Sequence, residues 1–305
     1  MVAKKSTPAR KTVRSKKQHT PDYYPIQQRI ALGVDGGSLN GLIVADVGKL
    51  LSISNRRLYR QARKYQVKVD LNPDVTLAAQ TEVEVYALRN NWDVQRALAL
   101  AKKTYDDAYE HELEASGSAQ IARWRDFRTE SGIAGALDAD PVTYGSATLA
   151  LQVENTGEFV SSSVDVAGTE TYFTWGNADA NHLSILTEWN RTGSTSTDPS
   201  SPSTSGAYDG VNSDDQSNIE HANLGTDGNE PPYNAGTDQD QWVKVATLYV
   251  RPNPEGMQRL STGYFHAPCG LVVLKTNNSQ GNGSVYLEAK SGDYKGVSSE
   301  AMCQE

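Results

Sequence analysis

Along residues 64–71 polar and apolar side chains alternate, with Lys64, Gln66, Lys68 and Asp70 interleaved with Tyr65, Val67, Val69 and Leu71. A period of two sends successive side chains to opposite faces of a strand, so this stretch predicts one buried and one wet face. The strand is expected to run from Ser52 to Leu71. Glu82–Leu88 repeats the alternation and predicts a second strand. The period then changes. Leu98, Ala101, Tyr105, Ala108, Tyr109 and Leu113 recur at spacings of three and four, opposite Lys102, Lys103, Asp106, Asp107, Glu110 and Glu114. That spacing gives a helix with one apolar face. Asn90 or Asn91 supplies the cap, Asp93 falls in the first turn, and Gly117 can end the helix near Ser116.

Strand-like sequence dominates the remainder: 147–153, 159–166, 170–175, 182–189, 242–250, 263–275 and 284–290. Many short strands separated by Gly, Pro and Asn, with one early helix, predict an all-β fold rather than an α/β one. The expected architecture is a single antiparallel jelly-roll sandwich with one inserted helix, spanning residues 49–305. Residues 26–48 hold Gly33, Gly36, Gly37, Gly41 and Gly48 and are expected to form an irregular connection with one short strand at most. Residues 1–25 offer almost nothing to bury and predict a disordered arm. From about 192 to 241 the chain is polar, too poor in apolar residues for a core, and is expected to be a long surface insertion.

Charge changes this picture. The 305-residue chain carries a net −8, yet Lys4, Lys5, Arg10, Lys11, Arg14, Lys16 and Lys17 stand within residues 1–17 without an acid among them. A second basic cluster, Arg56, Arg57, Arg60, Arg63, Lys64 and Lys68, falls in and before the first alternating segment, again without an acid. Clustered Lys and Arg release counterions from a polyanion, so both clusters are candidate nucleic-acid contacts. An import signal is a compatible second reading of the arm. Lys and Arg on a strand also discourage edge-to-edge pairing, which is the structural alternative for the second cluster. The insertion has the opposite sign: Asp198, Asp209, Asp214, Asp215, Glu220, Asp227, Glu230, Asp238 and Asp240, with no Lys or Arg among them. It is expected to point away from nucleic acid. Tyr59 could stack on unpaired bases, whereas Tyr65 is expected in the core.

Catalytic signatures are missing from the sequence: no phosphate loop, no nucleophile elbow and no zinc-protease helix. His19, His111, His182, His221 and His266 are scattered, so no histidine metal site is expected, and no cofactor. Asp209, Asn212, Asp214 and Asp215 miss the spacing of a calcium loop. Cys269 and Cys303 lack a paired motif. No apolar stretch approaches the roughly 20 residues that span a bilayer, and no leader is expected at the N-terminus.

The order of basic arm followed by Asn55-Arg-Arg-Leu-Tyr-Arg-Gln-Ala-Arg-Lys-Tyr-Gln-Val-Lys68 resembles the arm and first jelly-roll strand of capsid proteins from circular single-stranded DNA viruses, notably circovirus-like ones. Tyr264-Phe-His-Ala-Pro-Cys-Gly-Leu-Val-Val-Leu274 and the early helix are also similar to environmental relatives of that group. The arm is less arginine-dense than is typical there, and the acidic insertion is longer. The resemblance implies a non-enzymatic coat protein that assembles with copies of itself into an icosahedral shell. It implies packaging of a genome of single-stranded DNA, assembly in the host nucleus, residence in the virion, an unknown host receptor and no membrane. A cellular jelly-roll module that binds carbohydrate or nucleic acid is the alternative.

Overall fold

The structure is a computed structural model that describes residues 26–33, 41–72, 81–116, 125–142, 159–166, 168–193, 241–250, 260–276 and 284–303. The basic arm, the expected strand at 147–153 and nearly all of the acidic insertion lie outside the described residues.

In chain order the elements are β1 (Arg29–Gly33), β2 (Gly41–Asp46), α1 (Val47–Asn55), β3 (Arg63–Asn72), β4 (Thr81–Leu88), α2 (Trp92–Ser116), β5 (Leu137–Asp138) and β6 (Asp140–Pro141). There follow β7 (Ser163–Val166), β8 (Thr169–Thr174), β9 (His182–Ser184), α3 (Ile185–Gly193), β10 (Trp242–Val250), β11 (Leu260–Ser261), β12 (Phe265–Ala267), β13 (Leu271–Thr276) and β14 (Ser284–Ala289). The chain closes with β15 (Ser291–Gly292), β16 (Gly296–Val297) and β17 (Ser299–Ala301). The fold is thus mostly β.

Two main sheets organise it. The first runs β11-β3-β14-β1-β6, with β12 and β17 also pairing along β3. The second runs β10-β4-β13-β2-β5, antiparallel except for the short β2–β5 contact. Their inner faces meet in one core: Ile30, Tyr65, Val67, Val69, Val285 and Leu287 from the first sheet pack with Ile43, Ala45, Val83, Val85, Val272 and Leu274 from the second. The outer face of the second sheet is covered as well. Val44, Leu271 and Val273 share one buried cluster with Val94, Ala97 and Leu98 of α2, Ile185 and Leu186 of α3, Phe173 of β8 in the small sheet β7-β8-β9, and Trp175 just beyond it. A sheet buried on both faces loses strict alternation, which explains the continuous apolar run of β13.

Several expectations hold. β4 and α2 fall where the periods placed them, and the Asn91 side chain accepts a hydrogen bond from the Val94 N–H at 3.1 Å, capping α2. In β3, Tyr65, Val67, Val69 and Leu71 are buried as expected.

Other expectations are corrected. Residues 26–48 are not an irregular connection: β1 lies between β14 and β6, and β2 between β13 and β5. Both strands are short and partly continuous in hydrophobicity, so period-two alternation could not announce them. The stretch beginning at Ser52 is not one strand. Its first residues complete α1, whose Val47, Leu50, Leu51 and Ile53 are buried at helical spacing, with the Asp46 carboxylate accepting from the Lys49 N–H at 3.0 Å. Left-handed Arg56 ends the helix, and β3 begins only at Arg63. β3 is consequently the third strand of the chain, not the first. Residues 182–189 are a three-residue strand and then α3. Residues 263–275 split at Pro268–Gly270, where Cys269 turns left-handed (φ 54°) and the chain crosses from the first sheet to the second. Proline brings no N–H to continue a ladder, so the break falls there.

Candidate functional site

The chain emerges from the arm at one corner of the body. Gln27 and Asn55 join reciprocally: the Gln27 N–H donates to Asn55 Oδ1 at 2.7 Å, and Asn55 Nδ2 donates to the Gln27 carbonyl at 3.1 Å. Gln28 Nε2 donates to the Gly296 carbonyl at 3.0 Å. Ile26 lies so close to Gly296 (φ 92°) that a Cβ there would fall 2.5 Å from Ile26 Cδ1. The arm is therefore rooted between the end of α1 and the β15–β16 hairpin.

Three basic side chains surround this root. Arg56 and Arg57 are exposed, and among the described residues no carboxylate lies within ion-pairing distance of either. Lys295, exposed and also left-handed (φ 50°), donates to the Leu58 carbonyl and sits over the rings of Tyr59 and Tyr294, at 5.8 and 5.1 Å from their centroids. The Tyr59 hydroxyl donates to the Lys295 carbonyl at 2.9 Å, which fixes the hairpin against the α1–β3 loop. Burial is the main cause that raises Tyr59 above the ordinary phenol range and Tyr65 well above it. Both phenols are buried and present no free ring to a base.

The rest of the second basic cluster is used internally. Arg63 is only 8% exposed; its guanidinium lies 3.6 Å from the centroid of Tyr294 and donates to Ser299 Oγ at 2.9 Å and the Ser299 carbonyl at 3.2 Å. Arg60 is 3.9 Å from Asp126. Lys64 pairs with Glu300 at 2.5 Å, and Lys68 with Glu288 at 3.2 Å and Asp70 at 3.6 Å. Asp70 also faces Arg29 at 3.5 Å. The wet face of β3 is thus balanced in charge, not basic. Beside Asp70 of β3 itself, its acids are Glu288 from β14 and Glu300 from β17, distant in sequence, so the local pattern could not show those two. Within this cluster only Arg56 and Arg57, in the loop before β3, have no carboxylate at ion-pairing distance among the described residues, and the fold brings Lys295, far away in sequence, to the same corner.

A second feature is a cleft of about 1010 Å³ between the outer face of the second sheet and the chain segments around residues 128–139 and 174–182. Beneath it lies a buried polar network. Asp46 Oδ2 accepts from Arg128 Nη1 at 2.6 Å and Gln61 Nε2 at 2.9 Å, while Asp126 Oδ2 accepts from the Gln61 N–H at 2.8 Å. Gln61 Oε1 accepts from the Thr129 N–H at 2.7 Å, and Thr129 Oγ1 accepts from Trp175 Nε1 at 2.9 Å. Burial pushes the Asp126 carboxyl up to about 6, against the opposing pull of Arg128. At the mouth, His182 contacts Asp179 at 2.7 Å through Nδ1 and Glu130 at 3.3 Å through Nε2. No group of three or more His, Cys, Asp or Glu side chains suited to a metal occurs among the described residues. Among those residues no helix is long and apolar enough to cross a membrane.

No family model, no curated protein and no solved structure matches this chain.

Proposed function

We propose that the chain is the coat protein of a small non-enveloped virus, wound as a jelly roll, which assembles with copies of itself and packages a nucleic-acid genome. Support for the winding comes from strand order. Taking β1, β2, β3, β4, β10, β12, β13 and β14 in sequence, the first, third, sixth and eighth form one sheet and the others the second. Within the sheets the orders are sixth-third-eighth-first and fifth-fourth-seventh-second, the orders expected if the chain is wound as the two interlocked Greek keys of a jelly roll. On this reading α2, α3, the small sheet and the acidic stretch form one insertion between the fourth and fifth strands.

The observation that carries the nucleic-acid reading is the root of the arm. Residues 26–28, to which the polycationic segment is joined, lie beside Arg56, Arg57 and Lys295, and on this reading the two sets of charges serve a nucleic-acid strand as one cationic tract. Phosphates neutralised along that tract release counterions and couple assembly to packaging without any chemical step. The resemblance noted above favours single-stranded DNA as the genome, with assembly in the nucleus. A cellular carbohydrate-binding jelly roll would account for the sheets but leaves the arm without a task, and a cellular nucleic-acid-binding one would use the arm without building closed particles.

Electron microscopy of the purified full chain at moderate and at high salt tests the proposal. Closed uniform particles containing nuclease-protected nucleic acid are expected, and deletion of residues 1–20 should remove most of that nucleic acid while the body stays folded. A monomer free of nucleic acid at every salt concentration would refute it.

A further inference from the structure

We infer that the cleft on the outer side of the second sheet is a binding site for a neutral oligosaccharide. Its floor and rim combine the rings of Tyr86 and Trp242 with the polar side chains of Lys49, Asp138, Glu130 and Lys275. At about 1010 Å³ it stands at the upper end of the roughly 300–1,000 Å³ of ligand sites, so it suits an oligosaccharide better than one sugar.

Charge excludes the commoner alternatives. Each lysine and arginine that lines the cleft already has a carboxylate, Lys49 having Asp140 at 3.5 Å and Asp138 at 3.9 Å, Arg128 having Asp46 at 2.6 Å, and Lys275 having Glu84 at 3.6 Å, while the His182 ring is held by Asp179 at 2.7 Å. A phosphate, sulfate or sialate would have to compete with these acids, and a cationic ligand with these bases. A hydroxyl faces no such competition, because it donates and accepts at once. Across a lysine–carboxylate pair, one hydroxyl of a sugar diol accepts from the ammonium while its neighbour donates to the carboxylate. Lys49 with Asp138 offers that arrangement in the lining of the cleft, and Lys275 adds a further ammonium donor there, its buried partner Glu84 already accepting from Lys244 and the Tyr86 hydroxyl. The half-buried Tyr86 and Trp242 rings give the C–H face of a pyranose an apolar surface, as recognition of a ring with one greasy and one polar side requires.

The inference goes beyond the coat reading and does not rest on it. Its test uses the full chain, both as purified and after deletion of residues 1–20, so that failure of packaging and failure of sugar binding are separate results. Maltotriose, triacetylchitotriose and lacto-N-tetraose serve as neutral probes, with sialyllactose, a sulfated heparin disaccharide and inorganic phosphate as charged ones, read by saturation-transfer NMR and calorimetry. At least one neutral probe is expected to bind saturably, equally with and without the arm. Asp138→Asn and Lys275→Met, whose native side chains are 77% and 47% exposed, should each weaken it about tenfold with the unfolding midpoint unchanged. Absence of neutral binding, preference for the charged probes, or binding indifferent to both substitutions overturns the inference.

Discussion

Asn55 holds Gln27 by both of its backbone polar groups, and it does so from the last turn of α1, where its Nδ2 also reaches the Leu51 carbonyl at 3.1 Å. One side chain thereby satisfies a carbonyl in the last turn of a helix and anchors the chain as it enters the body. Asn55→Ala should cost about 1–2 kcal/mol in urea unfolding, the value of lost hydrogen bonds to backbone groups. Faster amide exchange at 26–30 should accompany it. Because the substitution removes no charge, the salt dependence of nucleic-acid binding should not change.

Arg56 and Arg57 are expected to behave in the opposite way. Neither has an acid partner among the described residues and both are exposed, so replacing both with Ala should leave the unfolding midpoint nearly unchanged. If each neutralises one phosphate of a single strand, the slope of log affinity against log salt should fall by about 0.7 for each arginine. Fluorescence titrations of a labelled oligonucleotide at several salt concentrations give that slope directly. An unchanged slope would remove the loop from the cationic tract and leave the arm alone.

Arg63 belongs to the same run of sequence yet should respond as a core residue. Arg63→Ala strips the face of Tyr294 and leaves Ser299 without its donor, so a loss of roughly 2 kcal/mol of stability is expected, with the salt slope preserved. Comparing Arg63 with Arg56 separates folding from binding within a single short segment.

That contrast shows how far the sequence could be read. The alternation from Lys64 to Leu71 and the three-and-four spacing from Leu98 to Leu113 revealed β3 and α2, because each element has one wet and one dry face. β2 failed to announce itself since its sheet is buried on both sides, and α1 was hidden in an apolar run too short to show which period it follows. The charge balance on β3 depends on Glu288 and Glu300, which reach their partners through sheet pairing, and the cationic corner depends on Lys295, which reaches the α1–β3 loop through the packing of its hairpin on Tyr59. The cleft is built largely by irregular backbone between 128 and 182, where no period exists to be read.

Asp126 makes stability depend on pH in an unusual direction. Its carboxyl is pushed up to about 6 from 3.8, so between those values the folded protein keeps a proton that the unfolded chain has released. This group therefore destabilises the fold above pH 6, and the penalty fades as pH falls through 6 toward 4. Asp126→Asn retains an oxygen for the Gln61 N–H while removing the titration. The difference in unfolding free energy between native and variant should shift by roughly 2 kcal/mol between pH 7 and pH 4.5, on the order of 1.4 kcal/mol for each unit of displacement. Denaturant melts across that range check it, and a difference that stays flat would mean Asp126 titrates as an ordinary carboxyl.

Gly132 and Gly176 test whether the segment that roofs the cleft is as tightly joined as the hydrogen bonds imply. The Glu130 N–H donates to the Phe173 carbonyl at 2.8 Å, and the Trp175 N–H returns to the Glu130 carbonyl at 3.0 Å, drawing the two glycines together. A Cβ at Gly132 would fall 2.0 Å from the Gly176 nitrogen and 2.2 Å from its Cα, both backbone atoms with no freedom to swing aside. Its φ of 67° is also left-handed, a region that costs an ordinary L-residue about 1 kcal/mol or more. Gly132→Ala should therefore separate the roof from β8 and cost about 3 kcal/mol or more, whereas Gly135→Ala, also left-handed but with open space around it, should cost only the backbone term of about 1 kcal/mol. Thermal unfolding of the two variants side by side distinguishes a steric junction from backbone preference. Equal losses would mean that the 128–133 segment can draw back from Gly176, and that the cleft's roof is not fixed.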